Sequence, residues 1–132
     1  MATPHLHTLR VYYEDTDFSG FTYHASYLKF LERGRTEFLR ALGIVQSELY
    51  READGLAFVV SRMAVDYLKP ALMDDVLTVT TAVVELRGAS MVLAQTVSRD
   101  GVCLTRADVT VAAVRGGRPV RLPAVIRTTL TG

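Results

Sequence analysis

The pattern of hydrophobic residues divides the first third of the chain into a strand and two helices. Residues 9–13 follow the period-two pattern of a half-buried strand that ends at Tyr13. Apolar residues then recur at helical spacing and predict a long helix over residues 24–42, ended by Gly43. A shorter helix is predicted over residues 46–53.

Strand patterns dominate the rest of the chain. Runs rich in β-branched and aromatic residues, separated by turn residues, predict four longer strands at residues 57–68, 76–86, 91–99 and 102–114. Asp100-Gly101 between the last two is typical of a hairpin turn. Residues 124–130 fit either a short helix or a frayed tail.

These elements predict an α+β fold with an antiparallel five-stranded sheet and one long helix. The length of 132 residues predicts a single domain over residues 1–132. Gly34 lies in mid-helix, where glycine costs about 1 kcal/mol relative to alanine, so we expect another backbone, such as a crossing strand, close to it. In the third strand we place Val79 and Val83 on one face and Leu86 on the other.

Composition argues against several classes of partner. Fifteen basic residues against fourteen acidic ones give a net charge of +1, and their scatter disfavours nucleic acid. Although 49% of the residues are hydrophobic, no apolar run reaches the ~20 residues of a membrane span. We expect the surplus to bury a subunit interface. Residues 1–8 lack the pattern of a signal peptide, which predicts a cytoplasmic protein.

Metal and disulfide chemistry are not indicated. Cys103 is the single cysteine and lies in an alternating strand pattern, so a small buried hydrophobe is the simpler interpretation. Neither Cys-x-x-Cys nor His-x-x-x-His spacing occurs, and no metal site is predicted.

Residues whose side chains could take part in catalysis meet at the predicted strand-to-helix junction. Asp17 lies in the loop, Gly20 supplies a turn, and His24 opens the helix. The first turn of a helix has unpaired N–H groups and the positive end of the dipole, so it would stabilise an oxyanion while Asp17 acts as a base or nucleophile. By spacing alone, Asp17 also fits a turn aspartate bonded to the backbone, and His24 a polar residue of the helix start.

Further motifs along the chain add to this junction. They are Tyr13-Glu14-Asp15-Thr16-Asp17, Gly20, Tyr23-His24-Ala25-Ser26-Tyr27, Glu32-Arg33-Gly34-Arg35-Thr36-Glu37, Phe58-Val59-Val60, Tyr67-Leu68-Lys69-Pro70-Ala71, Asp74-Asp75, Arg87-Gly88-Ala89-Ser90 and Leu122-Pro123. Together they resemble the signature of hotdog-fold acyl-CoA thioesterases. The chain is most similar to the 4-hydroxybenzoyl-CoA thioesterase family, and within it to the bacterial group associated with the Tol-Pal envelope system.

The resemblance implies an acyl-CoA thioester hydrolase in which the sheet wraps around the long helix. It implies Asp17 as base or nucleophile, His24 as oxyanion site and hydrogen-bonding imidazole, and Tyr13 as an orienting residue. Arg87 and Ser90 match the region near the nucleotide end of coenzyme A. Tyr13 also fits a buried strand tyrosine, and Arg87 a solvated charge. By composition, three other arginines suit the phosphates equally well: Arg62, Arg99 and Arg106.

The resemblance also implies how substrate and subunits come together. Hotdog thioesterases form dimers with active sites between subunits, often paired into tetramers. Coenzyme A enters as part of the substrate, with no separate cofactor, and an acyl carrier protein is the alternative carrier. The chain departs from the family pattern at Phe18, Ser19, Phe21 and Thr22, where small residues are usual. We expect this bulk to reshape the acyl pocket.

Two other functions compete with thioester hydrolysis. Asp15-Thr16-Asp17 after an apolar strand matches the Asp-x-Asp of magnesium-dependent phosphatases, but those enzymes need a parallel α/β unit that consecutive antiparallel strands do not supply. A hotdog module that binds an acyl carrier protein or an envelope partner, with weak or no catalysis, is the second. The joint presence of Tyr13, Asp17 and His24 argues against it. A Ser-His-Asp hydrolase lacks its Gly-x-Ser-x-Gly elbow.

Overall fold

The strands form one curled antiparallel sheet. The structure is a computed structural model and describes residues 3–132. The strands are β1 (His5–Arg10), β2 (Ala57–Tyr67), β3 (Val76–Leu86), β4 (Ser90–Arg99), β5 (Val102–Arg115) and β6 (Arg118–Pro119). Their order is β1-β3-β4-β5-β2, and the two-residue β6 pairs with β5. The α+β architecture is confirmed, with β6 added to the expected five strands.

Three helices accompany the sheet. They are α1 (His24–Ala41), α2 (Gln46–Glu52) and α3 (Ala124–Thr131). After α1, Gly43 adopts a left-handed φ of +84°, the conformation that ends many helices. The C-terminal segment is a helix and not a frayed tail, because Ile126 and Leu130 are buried in the core.

Helix α1 lies directly against strands β3 and β4. Gly34 is buried, and a Cβ atom there would run into the side chain of Val79 and lie 3.3 Å from Nε2 of Gln95. Gln95 in turn donates to the carbonyl of Leu31 at 3.0 Å and to Oγ1 of Thr81 at 2.9 Å. Strands do pack against α1 at Gly34 as expected, but the atoms closest to a Cβ there belong to the side chains of Val79 and Gln95 and not to the backbone. The sheet around α1 is the hotdog arrangement.

The first strand is shorter than its pattern predicts. It ends at Arg10, and Tyr13 lies in a 3₁₀ turn, Tyr13–Asp15, with its side chain 81% exposed. The physical reason is local: the buried carboxylate of Asp15 accepts a hydrogen bond from the N–H of Tyr12 at 2.9 Å. Such side-chain bonds compete with the ladder bonds of a strand. The placement of Tyr13 at a strand end was therefore wrong.

A β-bulge changes the faces of β3. Val79 and Val83 share one face as predicted, and both are buried, but the pairing with β4 shifts between Val83 and Glu85. An extra residue reverses the inward and outward alternation. Leu86 consequently packs against the core, and its expected place on the opposite face was wrong.

Exposed aromatic side chains surround the loop before α1. They are Tyr12, Tyr13, Phe18, Phe21 and Tyr23, and Phe18 is fully exposed. An apolar surface of this kind is uncommon on a protein that acts alone. Within residues 3–132, no helix is both long and apolar enough to cross a membrane.

Candidate active site

A cavity of about 450 Å³ lies where the loop before α1 meets the end of β2. It is lined by Asp17, Ser19, Phe21, Thr22, His24, Tyr27, Tyr67, Leu68, Lys69 and Pro70. Two of the residues predicted for the site, Asp17 and His24, therefore face the same space. Most of the wall is aromatic or apolar, which suits an acyl group beside a few polar atoms.

The loop that carries Asp17 closes on itself. The N–H of Asp17 donates to the carbonyl of Phe21 at 3.0 Å, and the N–H of Gly20 donates to the carbonyl of Asp17 at 3.1 Å. Gly20 has a φ of +86°, a conformation that costs other residues free energy. The turn at Gly20 thus brings Asp17 back toward the start of α1.

Ser19 holds the Asp17 carboxylate. Its N–H donates to Oδ1 of Asp17 at 2.8 Å, and its hydroxyl donates to the same oxygen. These hydrogen bonds, the hydroxyl's first, lower the pKa of Asp17. Burial opposes them, and the charge of His24 makes the smallest contribution, also lowering the pKa. The exposed carboxylate therefore stays ionised at neutral pH, as a base or nucleophile requires.

The first turn of α1 has free donors. Its N-cap residue, Tyr23, makes no side-chain capping bond, although Ser, Thr, Asp and Asn are the residues that usually cap helices. The N–H of Ser26 is satisfied by the carbonyl of Tyr23 at 2.9 Å. The N–H groups of His24 and Ala25 donate to no residue in the part of the chain that the structure describes. An oxyanion at this point would meet both donors and the positive end of the helix dipole.

Aromatic rings fix the position of His24. Its ring lies 5.0 Å from that of Tyr23 and 5.8 Å from that of Tyr67, centroid to centroid. The hydroxyl of Tyr67 donates to the carbonyl of His24 at 3.0 Å. Burial, and then the neighbouring Tyr27, raises the pKa of Tyr67, so this hydroxyl remains a donor.

Part of the cavity wall comes from the segment after β2. The N–H of Ala71 donates to the hydroxyl of Tyr27 at 2.9 Å, and the N–H of Thr22 donates to the carbonyl of Ala71 at 2.9 Å. Thr22 is buried, and its own hydroxyl has no partner among the described residues. Sequence reasoning gave no roles to Tyr27 or Tyr67, whose only signal was their place in matching motifs, and it considered Ser19 only as a departure from the family pattern in the acyl pocket.

The remaining predicted residues lie elsewhere. Tyr13 is not in the cavity wall. Arg87 and Ser90 flank the turn between β3 and β4, where the N–H of Arg87 donates to the carbonyl of Ser90 at 2.8 Å and its guanidinium pairs with Glu85 at 2.9 Å. The Asp17 loop contacts the segment before β3, so β3 separates the two groups. Its 11 residues span about 35 Å.

A second, open groove of about 480 Å³ runs between α1 and the sheet. Its wall is largely apolar, with Lys29, Glu32 and Arg35 along the helix. Burial lowers the pKa of Arg35, Glu32 opposes this, and the guanidinium donates to Oε1 of Gln95 at 3.1 Å. Across residues 3–132, no three His, Cys, Asp or Glu side chains converge as metal ligands.

Known proteins share this fold and much of this sequence. The family model of the thioesterase-like superfamily matches residues 11–130. Acyl-CoA thioesterase YbgC from Haemophilus influenzae is 46% identical over 121 residues, which are 90% of this chain and 88% of that protein. The crystal structure of a probable thioesterase from Bartonella henselae superposes with a TM-score of 0.89 at 41% identity, covering 92% of this chain and all of that one. A 4-hydroxybenzoyl-CoA thioesterase with bound 4-hydroxybenzoyl-CoA has a TM-score of 0.92 over 98% of this chain and 99% of that one, and at 20% identity it shows the fold alone.

Proposed function

The chain belongs to the thioesterase-like superfamily and is an acyl-CoA thioester hydrolase, and we propose that it cleaves its substrate in the Asp17 cavity. The observation that carries the proposal is the shared cavity, in which an ionised carboxylate faces a helix start with free N–H donors. Family membership favours this enzyme over the magnesium-dependent phosphatase and over a binding module without catalysis.

In the proposed reaction, the thioester carbonyl lies over the start of α1. Its oxygen accepts hydrogen bonds from the N–H groups near His24, which stabilise the negative charge of the tetrahedral intermediate. In one route Asp17 takes a proton from water, the hydroxide adds to the carbonyl carbon, and the C–S bond breaks to release the thiolate of coenzyme A. In the other route the Asp17 carboxylate adds directly to the carbonyl carbon, the C–S bond breaks to release the thiolate and leave a mixed anhydride, and water then hydrolyses the anhydride to the free acid and Asp17.

His24 has two separable roles in this proposal. Its backbone N–H serves the oxyanion, and its imidazole, held between Tyr23 and Tyr67, bonds to substrate or to Asp17. The backbone role survives substitution of the side chain, whereas the imidazole role does not. Tyr67 supports both by holding the first turn of α1 in place.

Coenzyme A enters as part of the substrate, and no separate cofactor is proposed. Arg87 suits its phosphates because a guanidinium binds them through paired donors, and Ser90 lies at the same turn. An acyl carrier protein is the alternative carrier.

The active unit in this proposal is an oligomer, a dimer or a dimer of dimers. Two observations support it: the exposed aromatic residues around Asp17, and the distance along β3 between Asp17 and Arg87. A two-fold axis can place Arg87 of the partner subunit within reach of the phosphates of a coenzyme A thioester whose carbonyl lies at Asp17 of the first. The orienting role of Tyr13 likewise requires a neighbouring subunit. The cytoplasmic location, the absence of a nucleic-acid partner and the link to Tol-Pal remain predictions from the sequence.

The test is hydrolysis of short, medium, long and aromatic acyl-CoA thioesters, followed by release of free thiol. Asp17→Asn should lower kcat by about 10²- to 10⁴-fold, the range for loss of a general base. Asp100→Asn is the matched control, since Asp100 is an exposed hairpin aspartate outside the cavity. An Asp17→Asn enzyme that hydrolyses its best substrate at the unmodified rate would remove the proposed site.

A further inference from the structure

One oxygen of the Asp17 carboxylate is held and the other is free. Both donors of Ser19, its N–H at 2.8 Å and its hydroxyl, bond to Oδ1. Oδ2 accepts no hydrogen bond from any residue between 3 and 132. We propose, resting on the proposed function, that Ser19 is a positioning residue: it ties Oδ1 to the loop and leaves Oδ2 as the oxygen that attacks the thioester or takes the proton from water.

The loop does not need the Ser19 hydroxyl to close. The bonds between Asp17 and Phe21 and between Gly20 and Asp17 are made by backbone atoms, at 3.0 and 3.1 Å. The hydroxyl itself accepts only one longer bond from the loop, from the N–H of Phe21 at 3.3 Å. Its main partner is therefore the carboxylate, and its removal should change Asp17 more than it changes the loop.

The ionisation of Asp17 depends on its bonds with Ser19 and on the titratable groups around the cavity. The titratable groups that line the same cavity are His24 and Tyr27 on α1, Tyr67 at the end of β2, and Lys69 after it. Among the causes that lower the pKa of Asp17, the hydroxyl of Ser19 is the largest and the charge of His24 the smallest. Loss of the hydroxyl should therefore raise the pKa of Asp17, although His24 remains.

The experiment compares Ser19→Ala, which lacks the hydroxyl, with Ser19→Thr, which keeps it. In Ser19→Ala we expect the acid limb of the kcat/KM profile to move to higher pH, because this limb reports groups of the free enzyme. We also expect kcat to fall by about ten- to a hundredfold through poorer placement of the nucleophile or base, with KM little changed. Ser19→Thr should restore both. Ser47→Ala, on the exposed surface of α2, is the matched control.

Carbon-13 NMR of the aspartate carboxyl groups supplies a readout that does not depend on turnover. The Asp17 signal, assigned through Asp17→Asn, should titrate at higher pH in Ser19→Ala than in the unmodified protein. An inactive Asp17→Asn combined with an unshifted acid limb and an unshifted Asp17 titration in Ser19→Ala would overturn the role of Ser19 alone. Full activity of Asp17→Asn would overturn the proposed function and the role of Ser19 with it.

Discussion

Thr22, in the cavity wall, has a side chain that lowers the stability of the fold. Its side chain is buried, yet its hydroxyl donates to and accepts from no described residue. A buried polar group without a partner costs about 1–3 kcal/mol. The backbone of Thr22 is well placed nonetheless, bonded to Ala71 and bridged to Thr16. The loss of stability therefore comes from the hydroxyl of Thr22 and not from its backbone.

Thr22→Val should stabilise the protein, because valine keeps the shape of threonine and removes the unpaired hydroxyl. We expect the free energy of unfolding in urea to rise by about 1 kcal/mol. Thr105→Val is a parallel test of the same effect. Thr105 on β5 is also buried with an unpaired hydroxyl, but it lies outside the cavity. It should give a similar gain. A loss of stability in Thr22→Val would show that this hydroxyl has a partner.

At the scale of elements, Asp75 helps to hold the segment between β2 and β3. Oδ2 of Asp75 accepts bonds from the N–H of Leu72 at 2.8 Å and from the guanidinium of Arg99 at 2.6 Å. Burial raises the pKa of Asp75, but these two partners outweigh burial, and the pKa is lowered overall. Because Ala71 of this segment binds Tyr27 and Thr22, Asp75 indirectly supports the cavity wall.

The stability of the protein should depend on the ionisation of Asp75. A carboxyl group whose pKa is lower in the folded state stabilises above its unfolded pKa of about 3.9, and the stabilisation is lost as pH falls through the folded value. Asp75→Asn should therefore cost about 1 kcal/mol at pH 7, with the difference shrinking as urea unfolding is repeated at pH values from 5 down to 2. Asp66→Asn, which removes an exposed pair with Arg106, should have little effect at any pH. A cost that stays constant with pH would contradict this account.

The crossing of α1 over β3 gives a second prediction at this scale. Gly34→Ala gains about 1 kcal/mol in helix propensity but places a methyl group against Val79, and overpacking of this kind costs about 1–3 kcal/mol. We expect a net loss of stability in urea unfolding. In the background of Val79→Ala, which makes room, Gly34→Ala should cost less. Equal costs in the two backgrounds would rule out the contact with Val79 as the cause.

Elements set by local signals could be read from the sequence, and those set by distant contacts could not. β3 has the predicted bounds, and α1 ends one residue earlier than predicted, because periodicity and a terminal glycine act within the element. The bulge before Leu86 depends on pairing with β4. In the site, Asp17 and His24 are close in sequence and were found. Tyr67 reaches His24 from 43 residues away, which no local pattern reveals.

At the scale of the whole molecule, the residues that the proposed reaction uses together lie far apart within one chain. Asp17 and His24 lie at one end of β3, and the turn with Arg87 and Ser90 lies at the other. In a dimer with two-fold symmetry, each contact between residues of different subunits occurs twice, so a site shared between the subunits also occurs twice. In the dimer that we propose, each active site would use Asp17 of one subunit and Arg87 of the other.

Mixing two weakened variants tests this arrangement. Asp17→Asn and Arg87→Ala should each have a low kcat/KM as homo-oligomers, the first through chemistry and the second through weaker binding of phosphates. After unfolding together at equal amounts and refolding, half of the pairs contain both variants, and each such pair has one intact site. We therefore expect kcat/KM to recover to about one quarter of the unmodified value, as two-fold symmetry requires. Recovery should disappear when each variant is refolded separately and then mixed without unfolding, provided subunits do not exchange. If co-refolded protein gives only the mean of the two variants, Asp17 and Arg87 do not serve one site across a subunit interface.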